Sequence, residues 1–161
     1  MEFALVRVDN RLVHGQILEA WLPYIKANFI IVADDEVASD LFRETVIKMA
    51  VPREIEVLVS AVEEFSQTYV SLNSSKRKAI VLFSSIESAL RSHRTGFRFQ
   101  KLNIGNVYSE NYKMRCAASI LLSEKDLSDI QSLTEMGVAV ECRCVPKDRP
   151  LDSKDFFKKR K

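Results

Sequence analysis

Short apolar runs alternate along this chain with longer segments in which apolar residues recur every three or four positions. Several of the short runs are apolar at nearly every position, which is typical of strands covered on both faces of a sheet. Seven runs are predicted to form strands, at positions 3–8, 29–33, 55–59, 79–83, 101–104, 117–122 and 138–145.

The longer segments have the period of amphipathic helices, each with one apolar face that can pack on a sheet. The spacing is kept by Ala38, Leu41, Phe42, Val46 and Met49, and again by Leu127, Ile130 and Leu133. Three serine–acid pairs have the spacing of capping boxes at helix starts: Ser60 with Glu63, Ser84 with Glu87, and Ser123 with Asp126. Pro52 and Gly137 predict where the second and the last of these helices end.

Strands that alternate with helices predict the α/β class, with right-handed crossovers. We expect a single open, mostly parallel twisted sheet of about seven strands with helices on both faces. The pattern contains no internal repeat or linker, so residues 1–161 are predicted to form one domain. The polar stretch 105–115 has neither period and is expected to be an irregular surface loop near the functional edge.

The net charge of this domain limits the kinds of partner that we expect it to bind. The 161 residues include 24 basic and 22 acidic side chains that are interspersed, which gives a net charge of only +2. Such a balance produces no field that favours nucleic acid, and none is predicted as a partner. The one dense basic run, at 158–161, is expected to belong to a frayed, solvated tail that starts at residue 155.

Other features predict a cytoplasmic protein. No run approaches the roughly 20 apolar residues of a membrane span, and the charged residues Glu2, Arg7 and Asp9 at the N-terminus are not those expected of a signal sequence. The three cysteines, Cys116, Cys142 and Cys144, are an odd number and are interpreted as buried free thiols. Neither a metal site nor a bound cofactor is expected.

The first strand-to-helix loop holds the densest set of reactive side chains. Ligands of open parallel sheets bind outside the carboxyl ends of the strands, and this loop follows the first one. The candidate functional residues in this loop are Arg7, Asp9, Arg11, His14, Gly15 and Gln16.

A neutral histidine is a competent nucleophile, and a helix that begins near Gly15 would offer backbone N–H groups to a phosphate on His14. Arg7 and Arg11 could clamp phosphoryl oxygens, and Asp9 could hold the guanidinium groups or the imidazole tautomer. Gly15 would leave space for a phosphoryl donor. The competing interpretation is an ordinary loop histidine beside arginines that are solvated or paired with Asp9.

The whole string resembles a known family. It reads Arg7-Val8-Asp9-Asn10-Arg11-Leu12-Val13-His14-Gly15-Gln16, and it is similar to the phosphorylation-site loop of certain sugar transport components. These are the IIB components of the mannose/fructose/sorbose class of the bacterial phosphoenolpyruvate-dependent phosphotransferase system. Segments 32–38, 82–85 and 135–140 also resemble the family, so that the similarity covers almost the whole chain.

The resemblance implies that His14 takes a phosphoryl group from a IIA component. It further implies that His14 passes this group to a sugar held by the membrane components IIC and IID. The family is usually phosphorylated on the ring nitrogen nearer the backbone, needs no metal for this step, and often pairs as homodimers. Membrane association would therefore come only through the transporter complex.

Further residues near this edge have two interpretations each. Gly15 and Gln16 are assigned to phosphate binding, and so are Ser84 and Ser85 if their loop borders the first one. Ser84 is fully explained without such a role as a helix N-cap paired with Glu87, which is the favoured interpretation. Asp35 either starts a helix, where its charge suits the dipole, or orients an arginine of the phosphate loop.

Two residues mark the limits of the resemblance. The family commonly has two glycines where this chain has Gly105 and Asn106, which puts a side chain close to the expected route of a donor or sugar. Asn tolerates a positive φ, so the turn is expected to survive.

His93 is interpreted as a surface residue or as a partner of a helix C-terminus.

Two other functions use the same residues. A phosphorylatable regulator would carry the same His14 chemistry and transport nothing. A non-catalytic anion-binding domain would hold phosphate through Arg7, Arg11 and the helix terminus without covalent transfer.

Overall fold

A computed structural model describes residues 1–72 and 76–159, with nine strands and seven α-helices in that part of the chain. The strands are β1 (Glu2–Asp9), β2 (Phe29–Ala33), β3 (Glu56–Ser60), β4 (Lys78–Phe83), β5 (Lys101–Asn106), β6 (Met114–Ala117), β7 (Ile120–Leu122), β8 (Ala139–Cys142) and β9 (Leu151–Asp152). The α-helices are α1 (Leu22–Ile25), α2 (Asp35–Ala38), α3 (Leu41–Ala50), α4 (Val62–Thr68), α5 (Ile86–Arg94), α6 (Glu124–Glu135) and α7 (Ser153–Lys159). A π-helical segment, Gln16–Trp21, leads directly into α1, and a 3₁₀ turn, Tyr69–Leu72, follows α4.

Seven strands form one open sheet in the order β3-β2-β4-β1-β5-β8-β9. All neighbours in it are parallel except β8 and β9, which run antiparallel. The α/β class and the seven-stranded, mostly parallel sheet are therefore confirmed.

The prediction of a strand at 117–122 was wrong. That run instead contains the turn between β6 and β7, which pair with each other in a separate two-stranded sheet. The predicted strand at 138–145 shortens to β8, and the seventh strand of the main sheet is the short β9.

Apolar side chains pack against both faces of the sheet, which confirms that helices cover it on both sides. One cluster joins Ile17 and Trp21 of the first helical segment to Ile80 and Leu82 of β4. The other joins helices α4, α5 and α6 to the opposite face through Phe65, Ile86, Leu127 and their neighbours. Within the described residues, no helix is both long and apolar enough to cross a lipid bilayer.

One of the three predicted capping boxes is confirmed. Ser123 and Asp126 bind each other's backbone N–H groups at the start of α6. The other two predictions were wrong. Helix α4 begins after Ala61 rather than Ser60, and the N-cap of α5 is Ser85 rather than Ser84. Pro52 and Gly137 do follow the ends of α3 and α6 as predicted.

Helix α3 differs most from its prediction. None of its residues is buried, and Leu41, Phe42 and Met49 each expose more than three quarters of their surface, at 77%, 76% and 81%. The apolar spacing is present, but only Ile47 of this helix is packed against the core. The apolar stripe therefore faces outwards.

The C-terminal segment is ordered further than expected. Helix α7 extends to Lys159, and Phe156 is completely buried in the core. A burial of that kind ties the helix to the domain, so a frayed tail does not begin at residue 155. Arg160 and Lys161, from the basic run, lie outside the described residues.

Candidate functional site

The strand order places the end of β1 in the middle of the sheet, between β4 and β5. Its register with β5 shifts after Val8, so that Asp9 lies opposite Asn106 and Gly105 is passed over. The loop then turns sharply, because the Leu12 N–H donates to the Asp9 carbonyl oxygen, 2.9 Å, and Leu12 adopts a left-handed φ of 58°. Nothing in the sequence predicts this conformation, which is rare for leucine. Burial of the Leu12 side chain holds it in place.

His14 is fixed at both ring nitrogens. Its Nε2 lies 2.6 Å from Oδ2 of Asp9, and its Nδ1 accepts a longer hydrogen bond of 3.3 Å from the Gln16 N–H. A carboxylate only accepts hydrogen bonds, so the geometry assigns the ring proton to Nε2 and leaves the lone pair on Nδ1. The side chain is 13% exposed. Nδ1 therefore points towards the start of the helical segment.

Arg7 does not reach the surface. It is completely buried, and its Nε and Nη2 donate to Oδ2 of Asp9 while Nη1 donates to Oδ1 of Asn103 and to the Arg143 carbonyl oxygen. The expectation that Arg7 clamps phosphoryl oxygens is therefore not met by this geometry. The second expectation, that Asp9 holds a guanidinium group, describes the contact that the structure has.

Gly105 makes room for this arginine. A Cβ atom built at Gly105 would overlap the guanidinium group of Arg7, whereas one at Gly15 would have no atom within 4 Å. Neither glycine has a positive φ, so backbone conformation does not explain them. Gly105 is needed for packing around Arg7, and Gly15 leaves open space beside His14.

Asp9 remains ionised although it is completely buried. Burial opposes its ionisation and is the largest single influence, but the hydrogen bond with His14 and the charge of Arg7 together hold the pKa of Asp9 below its usual range. Burial also lowers the pKa of Arg7, against the opposing effect of Asp9. Arg7 thus fixes the Asp9 carboxylate, whose Oδ2 lies against Nε2 of the imidazole.

Asn106 and Gln16 complete the site. The amide group of Asn106 donates to Oδ2 of Asp9, 2.8 Å, and its Oδ1 accepts from Nη2 of Arg11, 3.0 Å. Oε1 of Gln16 accepts from both Arg11 and Asn106. Asn106 does not have the positive φ that was expected of it. Its role in binding Asp9 was missed, because the sequence shows only a departure from glycine and not which side chains the departure meets.

Arg11 is the exposed cation of the loop. Its backbone N–H donates to Oδ1 of Asp9, and its guanidinium group lies over Asn106 and Gln16. Arg11 can therefore turn towards an anion at His14 by giving up two hydrogen bonds near the surface. Arg7 is buried and cannot make the same movement.

Ser84, Ser85 and Asp35 form contacts elsewhere. Ser84 Oγ donates to Oδ2 of Asp34, 2.5 Å, and Ser85 caps α5 by accepting the Ser88 N–H. Asp35 accepts from the Val62 N–H at the start of α4 and from Arg91 of α5, whose Nη2 is 2.8 Å away.

The arginine that Asp35 orients is thus Arg91 and not one from the loop. The hydrogen bond that Asp35 accepts from the Val62 N–H is the largest influence on its pKa and holds it below the usual range. Burial opposes this effect and Arg91 adds to it.

The remaining candidates lie away from the loop. His93 is in the last turn of α5 as predicted, but it is buried against Phe99 rather than exposed, and burial followed by the charge of Arg98 lowers its pKa. None of the three cysteines forms a disulfide, and a hydrogen bond with Cys116 together with burial raises the pKa of the Cys142 thiol. Among the described residues, no three His, Cys, Asp or Glu side chains are arranged to hold a metal ion.

A buried arginine–aspartate pair lies behind a mostly buried histidine at the carboxyl edge of an open parallel sheet, and this arrangement orients one imidazole. The family model "PTS system sorbose subfamily IIB component" matches residues 3–161. The chain therefore belongs to the sorbose subfamily of IIB components of the phosphotransferase system.

Relatives and solved structures agree with this assignment. The chain is 29% identical over 152 residues to the fructose-specific EIIB component of Bacillus subtilis (strain 168), covering 94% of this chain and 93% of that protein. It is 28% identical to the sorbose-specific EIIB component of Klebsiella pneumoniae, over 96% of this chain and 94% of that one. The crystal structure of the IIBSor domain of the sorbose permease from Klebsiella pneumoniae matches with a TM-score of 0.88 and 27% identity, covering 99% of this chain and 98% of that chain.

Membership in this family gives the coarse function. IIB components of the phosphotransferase system act in phosphoryl transfer during sugar uptake. The resemblance that the loop carries is therefore confirmed at the level of the family.

Proposed function

We propose that this protein is a phosphocarrier that accepts a phosphoryl group on Nδ1 of His14 and passes it to a sugar. The observation that carries the proposal is the 2.6 Å contact between His14 Nε2 and Asp9, which leaves Nδ1 as the nucleophilic nitrogen. The weak donor opposite Nδ1, the Gln16 N–H at 3.3 Å, is a contact that an incoming phosphorus can displace.

The first step is an in-line displacement at phosphorus. A bond forms between His14 Nδ1 and phosphorus as the bond from phosphorus to the donor nitrogen breaks. The attack places positive charge on the imidazole ring, and the Asp9 carboxylate stabilises that charge through the Nε2 proton. Arg7 and Asn106 keep the carboxylate in place for this purpose.

The transferred phosphoryl group needs donors on its oxygens. Arg11 is the exposed cation beside the loop, and the Gly15 N–H has no acceptor within the part of the chain that the structure describes. The open space at Gly15 admits the donor protein. Ser84, Ser85 and Asp35 are left out of this role because their side chains bind Asp34, Ser88, Val62 and Arg91.

In the second step a sugar hydroxyl oxygen attacks phosphorus and the bond to Nδ1 breaks. The hydroxyl proton is released, and His14 returns to the neutral form with its proton on Nε2. Binding and positioning supply the catalysis, as is usual for phosphoryl transfer.

The proposal includes the partners of these two steps. A IIA component is the donor, and membrane components IIC and IID hold the sugar. Support for the IIA partner comes from the mannose-specific EIIAB component of Escherichia coli (strain K12), which matches this chain at 27% identity over 49% of its own length. The protein would then work in the cytoplasm and meet the membrane through the transporter complex.

A labelling experiment tests the carrier role. Label from phosphoenolpyruvate is passed through the general relay proteins and a IIA component to the wild type, to His14→Ala and to His93→Gln. His93 is the only other histidine, so its variant is the matched control. We expect acid-labile label on the wild type and on His93→Gln, and none on His14→Ala. Label that persists on His14→Ala would assign the chemistry to another residue.

A further inference from the structure

A cavity of about 580 Å³ is lined by residues of β1, α1 and β5, and neither Arg7 nor His14 is among its lining residues. It exists because β1 and β5 pair only from Arg7 and Asn103 towards their carboxyl ends. Before that point the strands separate, and Leu5 and Val6 of β1 line one wall of the gap. The volume is in the range of natural small-molecule sites.

The lining has the composition of a site for a polar anion. Its charged side chains are Arg98, Lys101 and Arg143 against one acid, Glu141. Arg98 and Lys101 are exposed at the mouth of the cavity, where Lys101 Nζ lies 3.5 Å from Oε1 of Glu141 and Arg98 adds a further positive charge. Arg143 Nε is a buried donor without a hydrogen-bond partner among the described residues.

Aromatic rings and amide groups supply the rest of the wall. Trp21 and Tyr24 pack edge to face with ring centroids 6.1 Å apart, and Tyr24 is 62% exposed. The C–H face of a sugar can pack on the exposed ring of Tyr24, and Gln100 and Glu141 can bind its hydroxyl groups. Cations at the mouth and a ring beside hydrogen-bonding groups together suit a phosphorylated sugar.

The cavity contacts the residues that hold Arg7. The Arg7 guanidinium carbon lies 5.4 Å from the centre of the Trp21 ring, and Nη1 donates to Asn103 at 2.7 Å. The same Nη1 donates to the carbonyl oxygen of Arg143. A ligand in the cavity would therefore contact Trp21, Asn103 and Arg143, the residues that hold Arg7 against Asp9.

We propose that this cavity is a second binding site, for a small phosphorylated sugar, separate from the His14 site and in contact with the residues behind it. Binding does not require His14 to carry phosphate, so the inference stands apart from the carrier function. The unphosphorylated protein is therefore the right material for a test.

The single tryptophan provides the signal, because Trp21 lines the cavity. Its fluorescence is followed while the full chain is titrated with fructose 6-phosphate, with fructose and with inorganic phosphate. We expect a saturable change with fructose 6-phosphate, and binding about tenfold weaker for each of the other two, since each lacks half of the contacts.

Two double variants locate the ligand. Arg98→Gln with Lys101→Gln removes the cations at the mouth, and Arg94→Gln with Lys154→Gln removes the same charge from exposed positions outside the lining. We expect about tenfold weaker binding in the first and no change in the second. Circular dichroism of all variants checks that they fold.

Three outcomes would overturn the inference. The first is the absence of a saturable signal with fructose 6-phosphate. The second is equal weakening in both double variants, which would indicate attraction by net charge alone. The third is binding lost in Arg11→Gln and kept in the Arg98 and Lys101 variant, which would place the ligand at His14 instead.

Discussion

Asp9 joins three functions in one carboxylate. It neutralises the buried charge of Arg7, fixes the imidazole tautomer of His14 and accepts the backbone N–H of Arg11. Two charged groups that are both completely buried are stable only when they are paired and hydrogen-bonded. The orientation of His14 is therefore coupled to the stability of the fold.

Asp9→Asn tests this coupling. The variant leaves the Arg7 charge buried without a counter-ion, so we expect a loss of about 3–5 kcal/mol in the free energy of unfolding. The imidazole also loses its fixed tautomer, which should slow phosphoryl acceptance. Urea unfolding at pH 7 measures the first effect. A loss below about 1 kcal/mol would mean that Arg7 finds another partner.

The lowered pKa of Asp9 predicts how stability depends on acid. Because the folded state binds the Asp9 proton less readily than the unfolded state, its contribution is complete above the unfolded pKa of about 3.9. The contribution disappears as pH falls from there through the lower folded pKa. Urea titrations between pH 7 and pH 2 should show the wild type and Asp9→Asn converging in this window. A constant difference would contradict the prediction.

The two glycines of the site form a second pair of variants. Gly105→Ala forces a Cβ atom into the guanidinium group of Arg7, and overpacking of this kind costs about 1–3 kcal/mol. Gly15→Ala has open space around it and a helical φ of −51°, so its free energy of unfolding should not fall. We expect Gly15→Ala instead to slow phosphoryl transfer. Equal loss of stability in both variants would contradict the different roles assigned to them.

Helix starts show how far local pattern determines an element. Ser123 and Asp126 were predicted as a capping box and form one, because both partners lie within the same turn. The start of α4 is capped from a distance, since the Val62 N–H binds the side chain of Asp35. A pattern of neighbouring residues cannot show that Asp35 of α2 binds the first N–H of α4. For this reason the capping role was predicted for Ser60 instead.

Cap variants measure this difference. Ser85→Ala removes the hydroxyl that accepts the Ser88 N–H and should cost about 1 kcal/mol. Asp35→Ala should cost a similar amount through α4. Ser60→Ala should stay within about 0.5 kcal/mol, because the one partner of its hydroxyl among the described residues is the Ala61 carbonyl oxygen. Thermal or urea unfolding orders the three, and a larger effect for Ser60 would restore it as the cap.

Helix α3 is where pairing of two copies can be tested. Its outward stripe of Leu41, Phe42 and Met49 is the kind of exposed apolar surface that marks an interface. If the predicted homodimer uses this stripe, sedimentation equilibrium should give a dimer for the wild type and a monomer for Phe42→Ser with Met49→Ser. A monomeric wild type would contradict the prediction of a dimer.

At the scale of the molecule, the alternation of strands and helices determined the fold class but not the strand order. The order β2-β4-β1-β5 brings the loops after β1 and β5 to the same edge, which is why Asn106 meets Asp9. Six candidate residues between Arg7 and Gln16 could be found because they are close in sequence. The contacts of Asn103, Gly105 and Asn106 with the loop could not be predicted, since they span about 90 residues or more and depend on register.

The most direct test is to identify the nitrogen that carries phosphate. The protein is labelled with ¹⁵N, phosphorylated through a IIA component, and its histidine rings are followed by NMR. We expect phosphorus on Nδ1 of His14 with the proton kept on Nε2, facing Asp9. Phosphate on Nε2, or a His14 ring that remains unmodified, would contradict the proposed function, because the contact with Asp9 would then not be the one that prepares the nucleophile.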